Sequence, residues 1–190
     1  MAALKKIVAS IGCFTLMGSA LAHEQGHFGI GTQATDAEIA GWYIDVAPDG
    51  KNMPDGHATV ADGEQLYSTA CAACHGTKLE GGIGPALVGG EGSLATSKPV
   101  KTVGSYWPYA TTLFDYIRRA MPFQQPQSLS NDQVYAVTGY ILHKNGLLEA
   151  DAEIDASTIR NVKMPNRDGF YEDDRPDSIA KACYDNCEVD

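Results

Sequence analysis

The chain has 190 residues, with 14 Lys and Arg against 24 Asp and Glu, a formal net charge of −10 at pH 7. That length suits one domain. So acidic a chain is a poor binder of nucleic acid; its partners should be basic where they dock, or dock through apolar surface.

Residues 1–22 read as a secretory signal peptide. Lys5 and Lys6 form the charged start, Ile7 to Leu16 the short apolar run, and Ala20-Leu21-Ala22 a small-residue cleavage site. A lipoprotein signal built on Cys13 is a poorer fit, because Ser10 stands where a leucine is expected. The apolar run is too short to span a bilayer, and no later run is long enough, so no membrane span is expected. The mature chain should start near His23 and be exported to the periplasm. The leader holds two lysines and no acid, so the mature chain carries 12 bases against 24 acids, a net charge of −12.

Residues 23–56 form an N-terminal extension rich in Gly, Asp and Pro. Thr35 and Glu38 stand in capping-box spacing before Ile39 and Trp42, which predicts one short helix there. A stronger helix is expected from Val60 to Cys71, with Thr59 as N-cap and Leu66 and Tyr67 as apolar surface. Residues 71–75 then read Cys-Ala-Ala-Cys-His. C-x-x-C-H is the attachment motif for c-type haem. Cys71 and Cys74 stand about one helical turn apart and add across the two vinyl groups of the haem, while His75 binds the iron. A zinc site would need about four N or S ligands, and no second Cys or His pair follows at finger spacing. A thioredoxin-like redox pair would not need the trailing His. One covalent haem c is therefore expected.

Gly76 to about Pro99 is a Gly- and Pro-rich loop. Pro108 can start the next helix in its first turn. Tyr109, Leu113 and Ile117 mark its buried face, and it must stop before Pro122. Ser130 and Gln133 form a second capping box, and Val134, Val137, Tyr140, Ile141 and Leu142 are the stripe of a last helix ending near Asn145-Gly146. No alternating strand pattern of any length is present. The haem-bearing domain is placed at 57–148. From Glu149 to the end, 12 acids face 5 bases, an acidic C-terminal arm over 149–190. Cys183 and Cys187 lie four residues apart within it, and an oxidising compartment favours a disulfide between them. Extension and arm are too polar to form cores of their own and are expected to order on the domain or on a partner.

Three helices around the attachment motif resemble class I cytochrome c, which implies an all-α fold packed around one covalent haem, here with extended N- and C-terminal arms. Gly63, Tyr67 and Cys71 match the spacing of that family's first helix, and Tyr140 its aromatic partner on the last. The resemblance implies that the Pro85 carbonyl accepts a hydrogen bond from His75. It also implies that the sixth iron ligand lies after the motif and before the last helix, which points to Met121; Met164 is the nearest rival and Met53 precedes the motif. His143 as a second histidine ligand would lie off its helix's apolar stripe. Trp107, Arg118 and Arg119 stand beside the predicted ligand loop, where they would either bond haem propionates or form an ordinary solvated face.

A narrower resemblance rests on Val103-Gly-Ser-Tyr-Trp-Pro-Tyr-Ala110, Asp115-Tyr-Ile-Arg-Arg-Ala-Met-Pro-Phe123, Pro126-Gln-Ser-Leu129, Val134-Tyr-Ala-Val-Thr138 and Met164-Pro-Asn-Arg-Asp-Gly-Phe170. These segments are similar to the SoxD group, cytochrome subunits of sulfane dehydrogenase in bacterial sulfur oxidation, with relatives serving sulfite dehydrogenases. The resemblance implies electron transfer rather than catalysis by this chain alone. It implies a molybdenum-cofactor dehydrogenase subunit as electron donor and a downstream cytochrome c as acceptor. Some members of the group have two haem domains; this chain has one C-x-x-C-H. The other readings are a free soluble cytochrome carrier and a haem enzyme such as a thiosulfate dehydrogenase.

Overall fold

The structure is a computed structural model, and it describes residues 31–174. The expected leader and the Cys183–Cys187 pair lie outside the described residues. Among those described, the elements run α1 (Asp36–Trp42), β1 (Ala58–Thr59), α2 (Val60–Ala70), α3 (Ala72–His75), α4 (Val103–Tyr106), α5 (Ala110–Ala120), α6 (Asn131–Lys144), β2 (Glu153–Ile154) and α7 (Ala156–Asn161). The fold is all-α, that of a class I cytochrome c.

Helix α6 is the centre of the packing. Every residue from Val134 to Leu142 is buried, so it contacts neighbours on all sides: α2, α5, α4 and both short strands. Its N-terminus carries the expected Ser130–Gln133 capping box. Helix α2 begins at the expected Thr59 cap, paired with Asp62. It crosses α6 at Gly63, where an added Cβ would lie 2.7 Å from Tyr140 Cβ and closer still to the Ala136 backbone. That approach is open to glycine alone, and it brings the Tyr67 and Tyr140 rings to 5.3 Å at 45°.

Helix α5 starts two residues later than expected, with Tyr109 as its cap and Pro108 just outside. The short helix α4 was not expected. Thr102 caps it reciprocally with Ser105, and both side chains also bond loop carbonyls, Thr102 to Gly89 at 2.6 Å and Ser105 to Val100 at 2.7 Å. They tie the long loop down.

The two flanking segments take different courses. Residues 44–48 lie along α5 as a strap. Arg118 donates to the Ile44 carbonyl at 2.6 Å, Asp115 accepts the Val46 N–H at 2.7 Å, and Thr111 donates to the Pro48 carbonyl at 2.8 Å. These three side chains recur at helical spacing on one face of α5. Helix α1, before the strap, has its expected Thr35–Glu38 capping box and no buried residue. The C-terminal arm instead returns to the domain. β2 pairs antiparallel with β1, Ala58 opposite Ile154 and Thr59 opposite Glu153. Ile154, Ile159 and Met164 are all buried in the common core. Beyond them Asn166 donates to the Tyr106 carbonyl at 2.7 Å, Arg167 stacks on Tyr109 at 4.0 Å, and Phe170 meets the Tyr106 ring edge-on at 5.4 Å.

Candidate haem centre

The attachment motif sits at a break between two helices. Cys71 ends α2 and starts α3, with φ −122° and ψ −37°. Its N–H still donates to the Tyr67 carbonyl at 3.0 Å, while its own carbonyl accepts from Cys74 at 3.1 Å and His75 at 3.0 Å. The single turn of α3 therefore fixes both cysteines and the histidine by backbone hydrogen bonds alone. Both thiols are free and half-buried. Burial, with a smaller contribution from the charge of Cys74, pushes the Cys71 thiol up to about 11. Among the described residues no group of three or more His, Cys, Asp or Glu converges as a metal cluster.

His75 is held from the side. Its Nδ1 lies 2.8 Å from the Pro85 carbonyl. A carbonyl can only accept, so Nδ1 carries the proton and Nε2 keeps its lone pair for a metal. The loop that carries Pro85 is folded back by Gly81 N–H to the His75 carbonyl at 2.8 Å and Gly84 N–H to the Cys74 carbonyl at 2.9 Å. At Gly84 a Cβ would lie 2.9 Å from His75 Cε1, so any side chain there would push the ring. On the other side, Tyr67 donates its hydroxyl to the Gly76 carbonyl at 2.8 Å, and burial raises its phenol well above the ordinary value, keeping it a neutral donor.

Met121 caps α5, its N–H bonded to the Ile117 carbonyl at 3.0 Å, and is half-buried. Met164 is enclosed by the core at 1% exposure. Met53 is half-buried against the core upstream of the motif. Trp107 meets the exposed Tyr116 edge-on at 5.7 Å. The two arginines have protein partners: Arg118 holds the Ile44 carbonyl, and Arg119 pairs with the buried Asp115, its Nε at 2.9 Å. His143 Nδ1 lies 2.9 Å from the Leu148 carbonyl, in the turn that follows α6.

Two positioning residues were not read from the sequence. Asp115 has no signal beyond its four-residue spacing to Arg119, which looks like a surface ion pair. Asn145 looks like a plain helix stop, yet its amide donates to the Leu87 carbonyl at 3.1 Å and the Ile141 carbonyl at 2.8 Å, joining the haem-side loop to α6.

The family described as cytochrome c oxidase, cbb3-type, subunit III matches residues 58–141. The crystal structure of the sulfane dehydrogenase SoxCD from Paracoccus pantotrophus is similar at 42% identity, covering 86% of this chain and 84% of that chain, with a TM-score of 0.74. The chain belongs to the SoxD-like cytochromes c. No curated protein sequence matches it. No described helix of this SoxD-like cytochrome is long and apolar enough to cross a membrane.

A cytochrome c carries covalent haem c, and the residues present fit that group. Two free thiols about one turn apart are available for the thioether bonds, and an imidazole with a fixed tautomer is available for the iron. Haem c supplies one-electron chemistry when bound. The protein's part is to hold His75 in one orientation through the Pro85 carbonyl.

Proposed function

We propose that this protein is a periplasmic monohaem cytochrome c. In this reading it accepts electrons from a molybdenum-cofactor dehydrogenase subunit that oxidises sulfane sulfur or sulfite, and passes them to another cytochrome c. The observation that carries the reading is the reach of the likeness to SoxCD. It covers 86% of the chain, well beyond the 58–141 segment that a general cytochrome family matches. A freely diffusing carrier needs little beyond its haem domain, whereas the likeness here takes in flanking segments as well.

Cys71 and Cys74 hold the haem, and His75 and Met121 ligate its iron. Met121 is favoured over Met164 because Met164 is wrapped by protein side chains, while Met121 stands half-buried at the end of α5. Iron ligated by both His75 and Met121 would have no position left for a sulfur substrate. Oxidation of that substrate releases an electron pair, so a two-electron centre on a partner must stand upstream. The residue ranges accord with the same reading: leader 1–22, extension 23–56, cytochrome domain 57–148 and arm 149–190, with a Cys183–Cys187 disulfide closing the arm's end.

Purification from the native host tests the partner. The expected result is a stable complex with a second, larger chain containing molybdenum; a lone polypeptide would favour the free carrier. The ligand is tested by the near-infrared sulfur-to-iron band of the oxidised protein, expected to vanish in Met121→Ala and persist in Met164→Ala. The reverse pattern would transfer the role to Met164.

A further inference from the structure

Residues 76–87 close back on the attachment motif through their own backbone. Gly81 and Gly84 donate to the His75 and Cys74 carbonyls, and the Leu87 N–H donates to the Leu79 carbonyl at 2.8 Å. Side chains from two helices hold the ends of this loop. Tyr67 of α2 donates to the Gly76 carbonyl at 2.8 Å, and Asn145 at the end of α6 donates to the Leu87 carbonyl at 3.1 Å. Pro85, whose carbonyl holds His75 Nδ1, stands two residues before Leu87. Little slack lies between them. The Pro85 ring fixes its own φ. Ala86 is seated on Gly81, where a Cβ would lie 2.9 Å from the Ala86 nitrogen. A displacement of Leu87 therefore moves the Pro85 carbonyl.

Capping the helix does not account for the Asn145 side chain. A C-cap can be made by the backbone alone, and the Asn145 N–H already bonds the Ile141 and Leu142 carbonyls at 3.2 Å. The side chain faces two carbonyls, Leu87 and Ile141, and a carbonyl only accepts, so the group turned to them is the NH2. That orientation leaves Oδ1 buried with no hydrogen-bond partner among the described residues. A buried acceptor without a donor lowers stability, so what the amide provides is its donor end. The amide is also closely fitted. A Cβ on Gly104 of α4 would collide with Oδ1 and stand 3.0 Å from Cγ.

We infer that Asn145 is a positioning residue for the iron ligand: through Leu87 it holds the Pro85 carbonyl against the His75 Nδ1–H, and so keeps the reduction potential of the haem lower than it would be without that bond. The chemistry is the basicity of the ligand. An imidazole whose N–H is drawn into a short hydrogen bond donates more strongly through its other nitrogen, and a stronger donor favours the oxidised iron. The inference rests on the part of the proposed function that makes His75 an iron ligand, and not on the sulfur-oxidising partner.

The test uses the mature holo-cytochrome. Asn145→Leu nearly keeps the shape of the side chain and removes the donor. Its reduction potential, from spectroelectrochemical titration, should shift upward. In NMR spectra of the reduced protein, exchange of the His75 Nδ1 proton with solvent should quicken about tenfold, the factor that the net worth of one hydrogen bond gives. Gly104→Ala, which displaces the amide without removing it, should move both readouts in the same directions, and it decides the question should Asn145→Leu not load haem. Gly146→Ala strains the same helix end, because residue 146 has a φ of 70°. It should lower the melting temperature and leave potential and exchange where they were. An unchanged potential or an unchanged exchange rate in Asn145→Leu overturns the inference and leaves His75 as the ligand. Equal shifts in Gly146→Ala also overturn it, because the effect then belongs to the stability of the helix end. A haem spectrum unaltered by His75→Ala would show that His75 does not ligate the iron, and the inference and that part of the proposed function then fail together.

Discussion

Helices α1 and α7 invite comparison. Each is short, each has a side-chain oxygen at its N-cap, and each lies in a polar segment flanking the cytochrome domain. Yet α1 buries no residue, while α7 buries Ile159 and sits between two further anchors, Ile154 and Met164. The difference lies in what the domain provides for them. Helix α6 has a glycine at 139, where a Cβ would stand 2.8 Å from Ile154 Cδ1, so the arm has a seat built for it. β1 adds a backbone edge for β2 to pair with. The extension meets α5 through side-chain hydrogen bonds from α5 to the strap's backbone and through the buried Val46, and the helix before the strap buries nothing. Polarity and capping do not tell a helix that completes a core from one that stays exposed; a complementary surface does.

That contrast is open to direct attack. The largest effect should come from truncation. Removing residues 149–190 deletes three fully buried side chains worth ~1.5–3 kcal/mol each, a loss comparable to the whole stability of an ordinary domain. The holo-protein should fail to fold or melt far earlier. Removing residues 23–42, which leaves the strap, should change the melting temperature little. Equal losses from the two truncations would erase the distinction.

Single side chains sharpen it. Ile159→Ala should cost ~2–5 kcal/mol by denaturant unfolding, as cavity-forming changes in a core do. Ile39→Ala should stay within ~0.5 kcal/mol, as an exposed site does. A comparable loss at both would mean that α1 is packed on the domain in solution.

A smaller effect is expected where the strap is held. Asp115→Ala leaves the Val46 N–H without its acceptor and should cost ~1–3 kcal/mol. It should also raise hydrogen exchange at Val46 while leaving α7 protected. Loss of protection in α7 as well would show that the two flanks open as one unit.

The caps give the smallest contrast. Asp155→Ala should cost ~1 kcal/mol of global stability, and Thr35→Ala almost none, although both remove an N-cap oxygen. The Asp155 carboxyl is held below its usual value, chiefly by the backbone hydrogen bond from Thr158. A lowered value in the folded state means that its contribution is present above the usual carboxylate range and is lost as pH falls through the folded value. Asp155→Asn should keep the cap and flatten that part of the acid-unfolding curve; an unchanged curve would contradict the assignment.

Much of the helical frame was legible from short-range chemistry. Thr35–Glu38 and Ser130–Gln133 mark their helices because a capping box is written within four residues. The attachment motif is legible for the same reason, being contiguous. What escaped depends on distant partners. The β1–β2 pairing is two residues long, too short to show alternation. Ile154, Ile159 and Met164 are spaced by five, which matches neither a strand nor a helix, so the arm was expected to order on the domain or on a partner but its anchors were not picked out. Asp115 reads as a surface acid because its acceptor role is toward Val46, 69 residues earlier. The His75–Pro85 contact is a loop closure that residue types alone do not announce; its expectation came from the family resemblance.

On the proposed function this chain receives electrons through a partner and does not oxidise the sulfur compound itself. Stopped-flow absorbance of the oxidised holo-cytochrome, mixed with sulfite or carrier-bound sulfane, tests it most directly. Rapid reduction is expected when the purified dehydrogenase subunit is present and essentially none in its absence. Rapid reduction by the sulfur compound with no partner present would make this chain the enzyme and overturn the proposed function.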